Sequence, residues 1–238
     1  MSDLTSWTLL DSETRLLTRS YWFNRGAQAR MAVVGLGTGE LLAISPACGL
    51  SKEDFDALRQ HGEVTAIIAP NGFHYMGLPE WRRAFPSARV YCPDNARKRI
   101  AKKCPDAGKL ESLAALSPRL PSHVRVLDVP HQKIGEAWLE VDTKAGPTWY
   151  VSDSCFSMPE LPKHWLLGRI FKWTKSAPGL RINGLGKLMF VTDKPGYKAW
   201  FLRELDRGAP TTLMTAHGDV VRGADLGERL RTLAQARL

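Results

Sequence analysis

Apolar runs that end in polar turns recur along the chain. Such runs cover residues 64–69, 89–92, 124–129, 137–141, 148–151 and 212–216, and their length and composition predict β-strands. Ser51 followed three residues later by Asp54 forms a capping-box pattern, which predicts a helix starting at Ser51. Further helices are predicted near residues 78–85 and over about 95–103. The first half thus alternates strand and helix, and the second half begins with a β-meander and closes with helix, strand and helix. This order predicts an α/β fold with two sheets sandwiched between helices.

A glycine-rich turn, Gly35-Leu36-Gly37-Thr38-Gly39, is superficially similar to a nucleotide-binding loop. A dinucleotide site needs a helix directly after the glycines, whereas residues 40–45 form another strand-like run. The turn is therefore interpreted as the tip of a β-hairpin, and no nucleotide cofactor is expected.

The pattern contains no linker that requires a domain boundary, so residues 1–238 are expected to form one domain. Residues 156–190 are interpreted as a lid-like or helical insertion, because an apolar stretch with interspersed cations runs from Trp165 to Trp173. Four roles stay open for this segment: a lid over a pocket, an oligomer contact as in a homodimer, an interfacial membrane helix, or a helix packed on the core.

Charge and cysteine content narrow the functional classes. The net charge of +9 invites a nucleic-acid role, but the cations are scattered, and the densest cluster, residues 97–103, is interpreted as a solvated helix face. Nucleic acid is therefore not the expected partner. The four widely spaced cysteines form no C-x-x-C pair and are expected to be reduced. Without a signal peptide at residues 1–7 or an apolar membrane span, the expected compartment is the cytoplasm.

Three predicted strands are followed by residue types that bind metals. His74 follows the strand at 64–69, Asp153 follows 148–151, and His217 follows 212–216. Strand ends of this kind hold the chemistry of α/β sheets. A metal site at one edge of the sandwich is therefore one interpretation, and hydrogen-bonded structural residues are the other.

The chain resembles an uncharacterised family of metallo-β-lactamase-like proteins between about residues 30 and 222. The resemblance rests on Ser45-Pro46, Gly62-Glu63-Val64, the turn from Ala69-Pro70-Asn71 to His74, Trp81, Phe85-Pro86, Asp153 and Ala216-His217-Gly218-Asp219. It implies a four-layer αβ/βα sandwich, in agreement with the two βα halves.

The resemblance also implies a depleted metal site. Active members carry His-x-His-x-Asp-His in the turn after the relevant strand, where this chain has Pro70-Asn71-Gly72-Phe73-His74-Tyr75. Aligning Gly77 with the glycine of the motif places His74 at the aspartate position. The bridging aspartate corresponds to Asp153, the last histidine to His217, and a further histidine to His131.

The implied ligands are His74, Asp153, His217 and His131, and they suffice for at most one metal ion. The ion would be zinc, iron or manganese, and a site without metal stays open. The first hypothesis is a hydrolase acting on an ester, lactone, thioester or phosphoester. The second is a metal-free member of the superfamily that binds a small ligand or another protein, and the third is a basic nucleic-acid binder.

Overall fold

The computed structural model describes residues 6–24 and 27–238. Residues 1–5, which belong to the N-terminal stretch interpreted above, lie outside the described residues. The first sheet is seven-stranded, and its strands lie in chain order. They are β1 Thr8–Asp11, β2 Leu16–Asn24, β3 Ala27–Gly35, β4 Glu40–Ile44, β5 Glu63–Ile68, β6 Arg89–Cys92 and β7 Leu110–Ser112. The pairs up to β3 and β4 are antiparallel, and those from β4 to β7 are parallel.

The second sheet is five-stranded, in the order β14-β13-β10-β9-β8. The remaining strands are β8 Val124–Asp128, β9 Ala137–Thr143, β10 Gly146–Val151, β11 Cys155–Met158, β12 Gly179–Ile182, β13 Thr212–Thr215 and β14 Val221–Arg222. Strands β8, β9 and β10 form the predicted meander, β10 runs parallel to β13, and β11 and β12 pair in a small separate sheet.

Helices connect and cover the sheets. They are α1 Lys52–Arg59, α2 Leu78–Ala84, α3 Asp94–Lys103, α4 Leu113–Leu116, α5 Trp165–Trp173, α6 Gly184–Phe190, α7 Lys194–Gly208 and α8 Leu226–Arg237. Helix α1 starts with the expected capping box, in which the Ser51 hydroxyl accepts from the N–H of Asp54 and the Asp54 carboxylate accepts from the N–H of Ser51. Both groups would otherwise lack a partner at the helix start.

The core consists of three hydrophobic clusters, one between each pair of adjacent layers. The first packs the outer face of the seven-stranded sheet against α1, α2 and α3 through residues such as Val33, Phe55, Trp81 and Ile100. The second lies between the two sheets, and the third packs the five-stranded sheet against α7 and α8. This arrangement is the predicted four-layer αβ/βα sandwich, which is therefore confirmed.

Alternation along β9 and β10 places successive side chains in different clusters. Trp138 and Trp149 point toward the helices, whereas Leu139 and Tyr150 point toward the other sheet. Because both faces of each sheet are covered, these strands are apolar on both sides and show no polar alternation in the sequence.

Most predicted elements are present within a few residues of their predicted bounds, including the hairpin of β3 and β4. The segment at 156–190 contains a strand pair in addition to the expected helix, because β11 and β12 enclose α5. The four cysteines are unpaired, and Cys92, Cys104 and Cys155 are buried. Among the helices of the described residues, none combines the length and apolar character that a membrane crossing requires.

Candidate metal centre

The strand ends after β5, β10 and β13 converge at one edge of the sandwich. Strands β10 and β13 are parallel neighbours, with Val151 opposite Thr215, so their carboxyl ends lie side by side. Asp153 and His217 each follow two residues after these strands, and His74 comes from the turn after β5 in the facing sheet. The structure therefore brings His74, Asp153 and His217 together, with one residue from one sheet and two from the other.

The three side chains lie at the distances of a potential ligand set. The Nε2 atom of His74 is 3.4 Å from Oδ2 of Asp153, and Nε2 of His217 is 3.3 Å from Oδ1. One ligand atom from each residue lies within 4.8 Å of the other two. Ligand atoms about 2.0 to 2.2 Å from a tetrahedral zinc ion are roughly 3.4 Å apart, so the donor set fits one ion after small side-chain adjustments.

Hydrogen bonds at the far side of each imidazole fix the ring orientation. The Nδ1–H of His217 donates to the backbone carbonyl of Gln28 at 2.9 Å, which directs Nε2 toward Asp153. The Nδ1 atom of His74 lies 2.7 Å from the hydroxyl of Ser45, a buried residue with φ of 61°. Hydrogen-bond partners of this kind fix the tautomer and the ring orientation of a metal-binding histidine.

Asn71 connects two of the converging strand ends. Its side chain is completely buried, and its amide N–H groups donate to Asp153 Oδ2 at 2.8 Å and to the Ser152 hydroxyl at 3.1 Å. Its carbonyl oxygen accepts from the backbone N–H groups of Phe73 and His74 at 2.8 and 3.2 Å. The turn that carries His74 is therefore fastened to the end of β10.

The charges of the group stabilise one another. Burial alone would raise the pKa of Asp153, but the charge of His74 and the hydrogen bond from His217 hold that pKa well below its ordinary value. Burial alone would lower the pKa of His217, but Asp153 and the Gln28 carbonyl raise that pKa above its ordinary value. Metal ligation requires a neutral imidazole, so protons compete with a metal at His217.

A cavity of about 160 Å³ adjoins Asp153. Its polar lining includes Glu136, Asn183 and Lys187, and its apolar lining includes Phe156 and Phe190. Phe156 also contacts the ring of His217 edge-on at 5.3 Å between centroids. The candidate ligand Asp153 thus lines a small, partly open cavity of mixed polarity.

Glu136 is a buried acid in this cavity. Its Oε1 atom accepts from the N–H of Ser154 and from the indole N–H of Trp138, both at 2.9 Å. Burial and the negative charge of Asp153 raise the pKa of Glu136 to about 7. A carboxyl group that exchanges its proton near neutral pH beside a cavity is suited to general acid or base chemistry.

Replacing Glu136 with glutamine should flatten the pH dependence of stability. The folded protein retains a proton on Glu136 up to a pH of about 7, whereas an unfolded glutamate loses it near 4.5. Unfolding is therefore favoured increasingly as the pH rises through this window, by about 3 kcal/mol in total. Glu136→Gln should match the wild type in urea denaturation at pH 4.5 and exceed its stability at pH 8.

The matched control is Glu160→Gln, because Glu160 is exposed. This variant should follow the wild-type pH profile within about 0.5 kcal/mol. An unchanged pH profile of Glu136→Gln would show that Glu136 ionises normally in the folded protein.

His131, Asn71 and Glu136 differ from the expectations drawn from the sequence. The Nδ1 atom of His131 faces Asp193 at 3.7 Å, and within the described part of the chain His131 is outside the group of three. Ligation by His131 stays a prediction. The sequence assigned no role to Asn71 or Glu136, although Asn71 stands in the motif turn and Glu136 directly precedes an apolar strand.

Comparison with known proteins identifies the architecture. The DIM-1 metallo-β-lactamase superimposes with a TM-score of 0.59 at 10% identity, covering 98% of this chain and 99% of that chain. FIM-1 from Pseudomonas aeruginosa, in its mono-zinc form, gives 0.54 at 11% identity, with coverage of 98% and 96%. A fragment of diflavin flavoprotein A 5 from Nostoc sp. PCC 7120 gives 0.55 at 14% identity, with coverage of 98% and 96%.

No protein-family model matches the sequence, and no curated protein matches it. At these identities the structural likeness shows the fold alone. The chain has the metallo-β-lactamase fold, as the sequence resemblance implied.

Proposed function

We propose that this protein is a hydrolase that uses one metal ion held by His74, Asp153 and His217. The observation that carries the proposal is the approach of these three ligand atoms to within 4.8 Å of one another beside a cavity. The proposed substrates are esters, lactones, thioesters or phosphoesters. FIM-1, one of the structural neighbours, has a mono-zinc form, and a single ion is therefore compatible with this fold.

The residue types of the candidate ligands limit which metal ion can bind and how many ions the site can hold. Two imidazoles and one carboxylate suit zinc and also iron or manganese. When bound, such an ion acidifies a water molecule and polarises the carbonyl or phosphoryl oxygen of a substrate. The turn at 70–75 offers one histidine, and Asn71 is committed to four hydrogen bonds, so this turn lacks the ligands for a second ion.

The surrounding residues have separate tasks in this proposal. Glu136 holds a proton near neutral pH and would donate it to the leaving group. Lys187 and Asn183 line the same cavity and would orient polar groups of the substrate. Phe156 and Phe190 narrow the space beside Asp153 and would exclude bulk water.

One observation favours a metal-free, ligand-binding protein as the second candidate. Asp153 already receives hydrogen bonds or ion pairs from Asn71, His74 and His217, so its charge is compensated by the chain itself. A superfamily member with this arrangement can retain a folded site without a metal. The cavity would then bind a small ligand without chemical turnover.

Metal content separates the two candidates. Protein purified without chelators should contain one equivalent of zinc, iron or manganese by elemental analysis, and removing the ion should abolish hydrolysis of a chromogenic ester. Metal affinity should fall as the pH is lowered, because protonation of His217 blocks ligation. Two equivalents of metal would contradict the single-ion site. Absence of metal, together with failure to bind added metal, would support the ligand-binding protein.

A further inference from the structure

Helices α5 and α6, which pack against each other, both expose large apolar side chains. Trp165 and Trp173 are 70% and 74% exposed. The α5–α6 face is formed by these two residues with Leu166, Leu167, Leu188 and Met189, all of which are exposed. Clusters of exposed large apolar side chains usually mark an interaction site.

The orientation of α5 is set by the side of the helix that carries Gly168 and Phe171, which packs against the rest of the protein. Gly168 is the buried residue of α5, and it lies so close to the backbone that an added Cβ would be 2.8 Å from the carbonyl oxygen of Pro162. Phe171 stacks on Phe156 at 5.7 Å. Leu166, Ile170 and Trp173 follow an i, i+4, i+7 spacing on another side of the helix, so that the apolar stripe faces away from this contact.

Helix α6 follows α5 in the chain and contributes two further exposed apolar side chains. It packs against α5, and an added Cβ at Gly184 would lie 2.0 Å from the carbonyl oxygen of Thr174. This close approach fixes Leu188 and Met189, which are 54% and 52% exposed, on a helix packed against α5. The α5–α6 face is therefore part of a packed structure and not an unsupported loop.

The charged residues of the segment that carries the face are all cationic. Between Leu161 and Thr192 the sequence has no acidic residue. The same stretch contains the cations Lys163, Arg169, Lys172, Lys175, Arg181 and Lys187. Arg169 and Lys172 are exposed on α5 itself, between and beside the tryptophans.

We propose that the α5–α6 face binds the surface of an anionic lipid bilayer. Tryptophan and leucine side chains enter the headgroup boundary when an amphipathic helix lies in the plane of a membrane, and flanking cations bind anionic headgroups. A second copy of this chain would bring like charges together. Nucleic acid would pair with the cations but leave the leucine and methionine side chains without apolar partners. An anionic bilayer is the partner that provides both negative charge for the cations and an apolar interior for the exposed tryptophan, leucine and methionine side chains.

Vesicle sedimentation with the protein of residues 1–238 tests this surface. We expect the protein to sediment with vesicles of phosphatidylcholine mixed with phosphatidylserine, and far less with pure phosphatidylcholine. Trp165→Ser combined with Trp173→Ser should abolish sedimentation without changing the thermal melting temperature, because both side chains are exposed.

A charge variant and its control measure the electrostatic contribution to vesicle binding. Arg169→Gln with Lys172→Gln should weaken vesicle binding by about ten-fold or more, since each cation near an anionic membrane contributes roughly five-fold. Lys102→Gln with Lys103→Gln removes the same charge from exposed positions on α3 and should leave binding unchanged.

Three results would overturn the proposal. One is a wild-type protein that stays in solution with phosphatidylserine vesicles at low salt. Another is equal weakening by the α5 and α3 charge variants, which would indicate attraction by net charge alone. The third is a wild-type dimer in analytical ultracentrifugation that the tryptophan variant converts to a monomer, which would assign the face to self-association.

Discussion

Replacing Asp153 with asparagine should abolish metal binding and hydrolysis while the protein stays folded. Asp153 contributes the negative charge of the proposed ligand set, and each of its oxygens faces one histidine. Substitution of groups that merely support ligands costs about 10- to 100-fold in metal affinity, so loss of a direct ligand should cost more than about 100-fold. Elemental analysis and ester hydrolysis by purified Asp153→Asn measure both effects.

The fold should tolerate this change at alkaline pH. Asparagine keeps an oxygen that can accept from Asn71, and its amide can donate to a neutral imidazole, so the free energy of unfolding should fall by less than about 2 kcal/mol. Asp142→Asn is the matched control, because Asp142 is exposed on β9, and this variant should keep full metal content and activity. Retained metal and activity in Asp153→Asn would remove Asp153 from the site.

Replacing Asn71 with alanine should give the largest loss of stability among the site variants. The substitution removes two donated and two accepted hydrogen bonds at a completely buried position. Backbone N–H groups of Phe73 and His74 then lose their acceptor, and unpaired buried groups cost about 1 to 3 kcal/mol each. Because water can enter the enlarged space, we expect a net loss of about 2 to 4 kcal/mol in urea denaturation.

The matched control for Asn71→Ala is Asn95→Ala. The side chain of Asn95 donates one hydrogen bond, to the carbonyl of Gln132 at 2.8 Å, from an exposed residue. Its loss should cost less than about 1.5 kcal/mol. Equal destabilisation by the two variants would show that Asn71 does not fasten the turn. A second readout is metal affinity, which should fall with Asn71→Ala and stay unchanged with Asn95→Ala.

The sequence predicts the sheets and the convergence of the site because both follow from local patterns. Runs that are apolar on both sides, such as the one around Trp149 and Tyr150, indicate strands covered on both faces. The ends of parallel strands meet at one edge, so placing Asp153 and His217 after such strands is sufficient to bring them together.

The features of the site that the sequence did not predict depend on tertiary contacts and burial. Asn71 acquires its role from a hydrogen bond to Asp153. Glu136 acquires its raised pKa from burial and from the charge of Asp153, which a local pattern does not indicate. The exposed side of α5 is a similar case. Its apolar composition leaves its role open, and the contacts of Gly168 and Phe171 show which side of the helix faces the rest of the protein.

Ser45 combines a strained backbone conformation with a hydroxyl group that orients the ring of His74. It is completely buried, its N–H donates to the carbonyl of Ile68, and its hydroxyl meets His74 Nδ1. At φ of 61° a serine costs roughly 1 to 2 kcal/mol that a glycine would not. Glycine would therefore relax the backbone, but the imidazole would lose the partner that holds it toward Asp153. The chain thus retains a strained backbone conformation at the position whose hydroxyl orders the candidate site.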